Sequence, residues 1–518
     1  MQADQPPFVP TVQPPAIHAM APPTYGARPL SLESHGYRYL VSGNTLLPSS
    51  VLRRAIEKSD NPQKAVGAIN NAFHAAGYFL VAVKAEVRGK SIHVEVVQGQ
   101  ISEEHIAPGL GWFYTGLRDQ GDLTVNDITY RSVLADAYAT RNGQRMQAGF
   151  TPATTPGGSD FTINTNPIPG YSPVSGTLLF GNYGSRYASR YLAGANVALH
   201  PGKGVELNAN YMAGLPGLSS ASSGSQYYVG GVGFNTITPW GVYGFNTQWT
   251  HYRIGEAAAP LYPTGNIFTS SATGSQLLYA SAKSRWNISE GYTHVGNVVT
   301  VFAGSYTLTD QHYDYYSVGT QYSRAITLLG QGGSMSGTFT YNQGISGRRG
   351  TLTTNSPGAP TPQFHYFDTS LSYQQSLPLG MTLSLSATGQ GAFDTLPQQQ
   401  QWVLGGFGSL SAWYPGILSG DSGYTGRMLL QSPGYHRYGF TLNGNLFAEA
   451  GGVTTTYLAP HTNPWQSLSD VGIGVNLQSQ WGTTLSVMSA IPVGWNNVPA
   501  AQRSADRVDA YFVLQQSF

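Results

Sequence analysis

The chain has 518 residues, more than one ordinary globular core holds, so at least two structural units are expected. Charged residues make up only 10% of it and the net charge is +1, which excludes the strongly basic surface of a nucleic-acid-binding protein. The absence of cysteine excludes disulfides and thiolate metal sites, and 12% aromatic residues argue against general disorder.

Sequence motifs for cofactors and catalysis are also missing. The chain has no phosphate-loop or dinucleotide fingerprint and no paired histidines at metal-ligand spacing, so we expect no nucleotide, cofactor or metal. It has no run of about 18 apolar residues, so no transmembrane helix is expected. The segment Gly420-Asp421-Ser422-Gly423 matches the nucleophile loop of chymotrypsin-like proteases, but no histidine and aspartate accompany it. We therefore predict that the protein is not an enzyme.

The N-terminal segment is rich in proline. Residues 1–30 contain eight of the 32 prolines, a composition that favours an extended chain without its own core. Residues 1–35 are predicted to be a tether, with a partner-binding arm as the alternative. The first residues lack the basic and apolar regions of a signal peptide, so an exported protein would have lost that peptide from this sequence.

Residues 36–100 are predicted to form a small α+β domain of order β-α-α-β-β. A strand at Tyr37–Val41 precedes two helices, the second starting at Asn61 with proline at its first position. Two strands follow, and the first of them, Tyr78–Val87, is the predicted exposed edge. The residues proposed to capture a substrate along this edge are Tyr78, Phe79, Val81 and Val83.

Residues 101–170 show a weaker copy of the same pattern. A helix is expected near Asn126–Asn142, followed by strands at Arg145–Pro152 and Asp160–Asn166. These two small domains would precede the remaining two thirds of the chain.

Residues 171–518 show the two-residue period of β-strands. In Val205–Tyr211, apolar and polar side chains alternate strictly, and about sixteen such segments occur, each near ten residues long. The last segment, Val508–Phe518, largely alternates as well and ends on an aromatic residue. This pattern predicts an antiparallel barrel with one face towards lipid.

The connections between these segments alternate in length. Short ones include Thr238–Gly241, Ser289–Tyr292 and Ser479–Gly482, whereas long ones include Gly255–Ser275 and Thr395–Gly423. Short turns at one rim and long loops at the other are typical of membrane barrels. A soluble β-sandwich has no reason to sort its loops in this way.

Two small domains ahead of a sixteen-stranded barrel resemble the outer-membrane transporters of two-partner secretion, the haemolysin secretion/activation proteins. These belong to the superfamily of barrels with polypeptide-transport-associated (POTRA) domains. The resemblance rests on Tyr39–Pro48, on Phe150–Asp160, and most strongly on Leu404–Ser409 followed by Leu418–Tyr424. In the family this last region surrounds a long loop that folds into the lumen, here near residues 394–423. The motif residues are Gly405, Gly406, Gly420, Asp421, Gly423 and Tyr424.

The tip of this loop departs from the family pattern. The family reads Val-Arg-Gly-Tyr or Phe, and its arginine pairs with an aspartate on a lumen-facing strand; the residues here are Leu410, Ser411, Ala412 and Trp413. The strand partner is Phe447-Ala448-Glu449, with glutamate for aspartate. The family's ion pair cannot form, and a hydrogen bond between Ser411 and Glu449 is the alternative. Either different contacts hold the loop, or this chain diverges from the family in function.

The resemblance implies a protein-secretion pore in the bacterial outer membrane. Periplasmic POTRA domains would capture an unfolded exoprotein, which then crosses the barrel. Outer-membrane lipid and the barrel-assembly machinery are further expected partners, with Phe518 as the assembly signal. An outer-membrane protein assembly factor and a passive solute porin are the alternatives.

Overall fold

The structure is a computed structural model that describes residues 29–118, 120, 122–154, 158–328, 330–348, 359–456 and 464–518. Two compact units share the chain, one consisting mainly of residues up to Tyr171 and the other mainly of residues from Ser172. The domain bounds 36–100 and 101–170 stay predictions. None of the helices in the described ranges is long and apolar enough to span a membrane.

The first sheet of unit 1 has four strands in the order β1-β2-β4-β3, with β2 and β4 parallel. Its elements are β1 (Leu30–Ser34), β2 (Tyr37–Ser42), α1 (Ser49–Glu57), α2 (Pro62–Ala75), β3 (Val81–Arg88) and β4 (Ser91–Gln98). The side chain of Asn61 caps α2 by accepting the N–H of Lys64, and Pro62 occupies the first turn. Helix residues Ile56 and Phe73 are fully buried against the sheet, so both helices cover one face of it.

Two sequence predictions for this region need correction. Residues 30–34, which the predicted tether included, form β1, because Leu30 and Leu32 turn one face of the strand towards the core. The remaining tether, residues 1–28, lies outside the described residues. The edge strand begins at Val81 rather than Tyr78. The N–H of Tyr78 still bonds to the carbonyl of Phe73 at the end of α2, and Phe79 is buried against Phe150.

The second sheet of unit 1 has the order β5-β7-β6, with β5 and β7 parallel. Its elements are β5 (Gln100–Ile106), α3 (Val125–Arg141), β6 (Gln144–Pro152) and β7 (Gly158–Pro167). A reciprocal pair of hydrogen bonds between Thr124 and Asp127 fixes the start of α3. Helix residue Ile128 and strand residues Phe161 and Ile163 are buried, which gives this sheet a helix-covered core.

In unit 2, sixteen antiparallel strands within the described residues close a barrel, which confirms the predicted fold class. The strands are β8 (Val174–Gly181), β9 (Leu192–Gly202), β10 (Val205–Gly214), β11 (Gln226–Thr238), β12 (Gly241–Arg253), β13 (Thr264–Ala280), β14 (Ser284–Val301), β15 (Tyr306–Leu328), β16 (Gln331–Arg348), β17 (His365–Ser376), β18 (Thr382–Ala392), β21 (Ser422–Gln431) with its short continuation β22 (Tyr435–Arg437), β23 (Phe440–Thr454), β24 (Gln466–Ser479), β25 (Thr483–Asn496) and β26 (Tyr511–Ser517). A separate hairpin, β19 (Trp402–Leu404) with β20 (Leu418–Gly420), and the short helix α4 (Ala500–Ala505) lie between them.

The two rims differ in the lengths of their connections. At one rim the strands join through short turns, such as residues 203–204 and 480–482. The other rim carries longer segments such as 393–421, although β14 and β15 join there through only residues 302–305. The predicted turn Ser289–Tyr292 is wrong, because these residues lie in the middle of β14 and pair with β15.

The two faces of the barrel wall differ in polarity. Along β23, Leu442 and Leu446 are exposed on the outer face, whereas Phe447 and Glu449 are buried on the inner face. The barrel closes where β26 pairs with β8, and the N–H and carbonyl of Phe518 both bond to Gly176. Phe518 is 66% exposed and lies on the outer face, together with Leu514.

Candidate functional site: a hairpin held against the inner barrel wall

The hairpin β19–β20 follows β18, the eleventh barrel strand, and its tip runs from Gly405 to Ile417. Gly405 has φ +99°, a backbone conformation that favours glycine, and a Cβ there would lie 2.2 Å from the carbonyl oxygen of Tyr414. The glycine therefore permits the close return of the chain on which the tip depends. Gly406 also has positive φ and donates its N–H to the carbonyl of Trp413 at 2.9 Å.

Two buried carboxylates on the barrel wall receive the tip of the hairpin. Glu449 on β23 and Asp470 on β24 are direct cross-strand partners. The main-chain N–H of Ser411 donates to Glu449 Oε2 at 2.7 Å, and the N–H of Ala412 donates to Asp470 Oδ2 at 2.8 Å. Consecutive main-chain amides of the tip therefore bind two adjacent carboxyl groups of the wall. We call this arrangement the carboxylate clamp.

A cationic residue completes the row across the wall. Arg427 on β21 is the cross-strand partner of Glu449, and its Nε lies 3.2 Å from Glu449 Oε1. The guanidinium also lies over the ring of Phe447, 5.2 Å from its centroid. Glu449 is therefore paired with an arginine of the barrel wall, where the family pattern places the arginine on the loop.

The side chain of Ser411 has a local role. Its hydroxyl accepts the N–H of Gly408 at 3.2 Å, inside the tip, and the residue is 2% exposed. The hydrogen bond between Ser411 and Glu449 thus comes from the main chain of the serine. This kind of contact makes no demand on the side chain at position 411, apart from its fit in a buried position.

Trp413 anchors the apolar side of the tip. It is fully buried, together with Leu410 and Ala412, and its carbonyl accepts the hydroxyl of Tyr511 at 2.8 Å. The tip also pairs with the segment that precedes β26. The N–H of Tyr414 donates to the carbonyl of Asp506, and the N–H of Val508 donates to the carbonyl of Ala412.

The base of the hairpin is held separately. Asp421 is buried and accepts the N–H groups of Leu396 and Thr456 at 2.9 and 2.7 Å. The side chain of Gln400 lies between two inward-facing hydroxyls, receiving that of Tyr366 and donating to that of Tyr313. The segment that enters the lumen is therefore fixed at both ends.

The predicted motif residues serve different positions. Trp402 packs directly over Gly423, where a Cβ would come 2.1 Å from the indole, and Gly420 is buried beside the carbonyl of Thr454. Tyr424 is instead exposed on the outer face, with its ring near Trp465.

The sequence did not identify Asp470, Gln400 or the role of Arg427. Asp470 is the lone carboxylate of β24 and lies on the opposite face from the apolar outward residues of that strand. This alternation is the sequence pattern that could have identified it as an inward-facing residue. Outside the barrel, Glu103, His105 and Asp160 place three potential ligand atoms within 4.8 Å of one another, with two of these side chains exposed. The expectation of no metal or cofactor stays a prediction.

The sequence profile of one family matches residues 157–477, more than half of the chain. It is that of the haemolysin secretion/activation protein ShlB/FhaC/HecB. The chain belongs to this family. No curated protein sequence matches the chain.

Solved structures give the same fold. CdiB from Escherichia coli is 17% identical with a TM-score of 0.73, and the match covers 96% of this chain and 93% of that one. CdiB from Acinetobacter baumannii is 14% identical with a TM-score of 0.68, covering 96% and 91%. Members of the haemolysin secretion/activation family are protein transporters of the outer membrane with a secreted exoprotein as partner, so the chain is a transporter of two-partner secretion.

Proposed function

We propose that unit 1 captures the unfolded exoprotein in the periplasm and that the hairpin β19–β20 must leave the inner wall before the exoprotein crosses the barrel. The carboxylate clamp is the observation that carries this proposal. It fixes a segment inside the barrel through two main-chain hydrogen bonds and one buried cluster, and such a set of contacts is reversible.

The periplasmic placement of unit 1 is supported by the barrel termini. β8 begins at the rim with short turns, because the N–H of His200, next to the turn 203–204, bonds to the carbonyl of Pro173 just before β8. β26 ends at the same rim, because Phe518 pairs with Gly176 near the start of β8. Short turns belong to the periplasmic side of outer-membrane barrels. The segment before β8 therefore enters from the periplasm.

The open edge of β3 is the proposed capture site. The carbonyl of Leu80 accepts the N–H of Gly99, and Arg88 and Ser91 close a two-residue turn, so even-numbered residues direct their main-chain groups towards β4. The odd-numbered residues Val81, Val83, Ala85 and Val87 direct theirs to the open edge. An extended polypeptide can pair with this edge as an added strand.

A groove beside this edge offers room for apolar side chains. It has a volume of about 470 Å³ and lies between the start of α2 and β3, with Pro62, Val66, Ala85, Val87 and Ile92 in its lining. Val87 is 60% exposed. Main-chain pairing along the edge with apolar contacts in the groove suits an unfolded chain of varied sequence.

The experiment is a proline substitution at the open edge. Ala85→Pro removes an N–H that points away from β4, so it blocks strand addition while the sheet keeps its ladder bonds. We expect the amount of exoprotein in the medium to fall about tenfold or more, because capture loses its main-chain register. Barrel assembly, followed by heat-modifiable gel mobility, should not change.

The matched control is Glu33→Pro on β1, the other edge of the same sheet. The two-residue turn between Ser34 and Tyr37 implies that the main-chain groups of Glu33 also point away from the sheet. Secretion should stay at the wild-type level in this variant. Loss of secretion in Glu33→Pro with normal secretion in Ala85→Pro would move the capture site to β1, and normal secretion in both would contradict capture at a sheet edge.

A further inference from the structure

Glu290 occupies an unusual place on the outer face of the barrel. The sequence Ser289-Glu290-Gly291 reads as a turn, yet it lies inside β14, where Glu290 pairs with Val318 of β15. Even-numbered side chains of β14 face outward, and among them Trp286 and Tyr292 are exposed. Glu290 lies between these two and is also exposed. The carboxylate therefore projects into the apolar belt that faces lipid.

Position along the strand supports a depth well inside this belt. β14 and β25 both begin directly after short turns of the same rim, and Glu290 and Ser489 are each the seventh residue of their strand. On β25 the outward neighbours of Ser489 are Val487 and Ile491, both exposed apolar residues. At the same height, one wall of the barrel thus carries a serine between apolar residues and the other carries a carboxylate.

The carboxylate is unsatisfied by the rest of the chain. Within the described residues, no hydrogen bond or ion pair reaches Glu290, whereas the outward Asp314, further along the barrel, is paired with His294 at 2.8 Å. Arg324, an outward cation of the adjacent strand, is the partner of Ser284 and lies six residues from Val318, about 20 Å along the strand. A charged group on a lipid-facing surface is costly, so such a residue marks a site with a partner.

An aromatic ring lies close to the carboxylate of Glu290. Gly274 on β13 lies next to it, close enough that an added Cβ would be 3.0 Å from the glutamate Oε1 and 3.2 Å from the ring of Tyr243. The glycine therefore lets the carboxylate of Glu290 lie close beside the ring of Tyr243. A lysine or arginine side chain that approaches from the lipid can contact the ring and pair with the charge.

We propose that the outer face around Gly274 and Glu290 is a docking surface for a different membrane-embedded polypeptide that presents a lysine or arginine at this depth. A second copy of the chain does not fit. Two copies related by an axis along the membrane normal meet at equal heights, where Glu290 would face another carboxylate. The outward arginines Arg253 and Arg324 lie near opposite ends of their strands, at other heights.

The test uses the full-length protein in phosphatidylcholine liposomes. Because the chain has no cysteine, Gln331→Cys gives a single labelling position for a donor dye on β16, two strands from β14. The acceptor is attached to a polyleucine transmembrane peptide with one central lysine, and a peptide with leucine at that place is the reference. We expect energy transfer above the random level for the lysine peptide only, and its loss in Glu290→Leu.

Two further variants keep the result interpretable. Glu206→Gln removes a carboxylate from the barrel interior and should leave the energy transfer unchanged, whereas Glu290→Gln should lose it like the leucine variant. Heat-modifiable mobility verifies that each variant is folded. Equal energy transfer with both peptides, or transfer that persists in Glu290→Leu and Glu290→Gln, would overturn the proposal. Glu290-dependent transfer between two labelled copies of the chain would replace it with self-association.

Discussion

At the level of single residues, the tip of the hairpin is bound through main-chain N–H groups, with the acidic residues on the wall. This differs from the expected arrangement, in which the side chain of a loop arginine pairs with the acidic residue of the wall. Glu449 keeps a cationic partner because Arg427 lies directly across from it on the neighbouring strand. The replacement of arginine by serine at position 411 is therefore compatible with a firmly held loop.

Ser411 gives the sharpest test of main-chain binding. Ser411→Pro removes the N–H that donates to Glu449. A hydrogen bond to a charged group contributes about 1.5–3 kcal/mol. The state in which the hairpin has left the wall should therefore become roughly ten- to a hundredfold more populated. Ser411→Ala keeps the N–H and should have a small effect. The measurement is single-channel conductance in planar bilayers, where the proline variant should open more often. Identical traces for both variants would contradict the clamp.

Glu449 is expected to act through the same clamp. Glu449→Ala removes the acceptor of the Ser411 N–H and leaves Arg427 on the inner wall without its ion-pair partner. The conductance should rise and fluctuate more than in the wild type. Glu206→Gln is the control, because this inward carboxylate bonds to His200 and Asn235 on the strands beside its own. A conductance change in the control equal to that of Glu449→Ala would indicate a general effect of lumen charge.

At the level of elements, the hairpin depends on a backbone that only glycine adopts readily. Gly405 and Gly416 both have positive φ, but a Cβ at Gly405 meets the carbonyl of Tyr414, whereas nothing lies within 4 Å at Gly416. Gly405→Ala should therefore detach the tip, and Gly416→Ala should cost only the conformational strain of about 1 kcal/mol. Detachment of the hairpin is measured by adding a protease to intact cells and following cleavage of the protein within residues 402–420. Cleavage that is equal in the two variants would mean that the close contact at Gly405 does not hold the hairpin.

The elements that sequence reasoning recovered are those with a strong local signal. The two-residue period of Val205–Tyr211 and the cap at Asn61 correspond to β10 and the start of α2. The prediction of a turn at Ser289–Tyr292 was wrong because serine and glycine are typical of turns, while cross-strand pairing over the whole of β14 overrides that local preference. β3 begins at Val81, three residues later than predicted, because the N–H of Tyr78 bonds to the carbonyl of Phe73 at the end of α2.

The functional site was only partly accessible to sequence reasoning. The glycine and aspartate motif locates the hairpin, but the contact between Ala412 and Asp470 joins residues 58 positions apart and involves a main-chain donor. No side-chain pattern reports such a donor. The pairing of Arg427 with Glu449 likewise depends on the register of β21 and β23, which sequence alone does not provide.

At the level of the whole molecule, we propose that the barrel and unit 1 contribute separable steps of one transport process. The closed barrel forms the route, the hairpin lies against its inner wall, and the proposed capture edge belongs to a sheet with its own core. Secretion should therefore fail in two distinguishable ways. Loss of capture leaves conductance normal, whereas loss of the clamp changes conductance while unit 1 stays intact.

The most direct measurement is the amount of the partner exoprotein in the culture medium of cells that produce both proteins. We predict that the exoprotein reaches the medium with the full chain and stays in the cells when residues 36–168 are deleted, while the barrel still assembles in the outer membrane. Unchanged secretion after this deletion would contradict capture by unit 1. Equal amounts of exoprotein in the medium without the chain would contradict its role as the transporter.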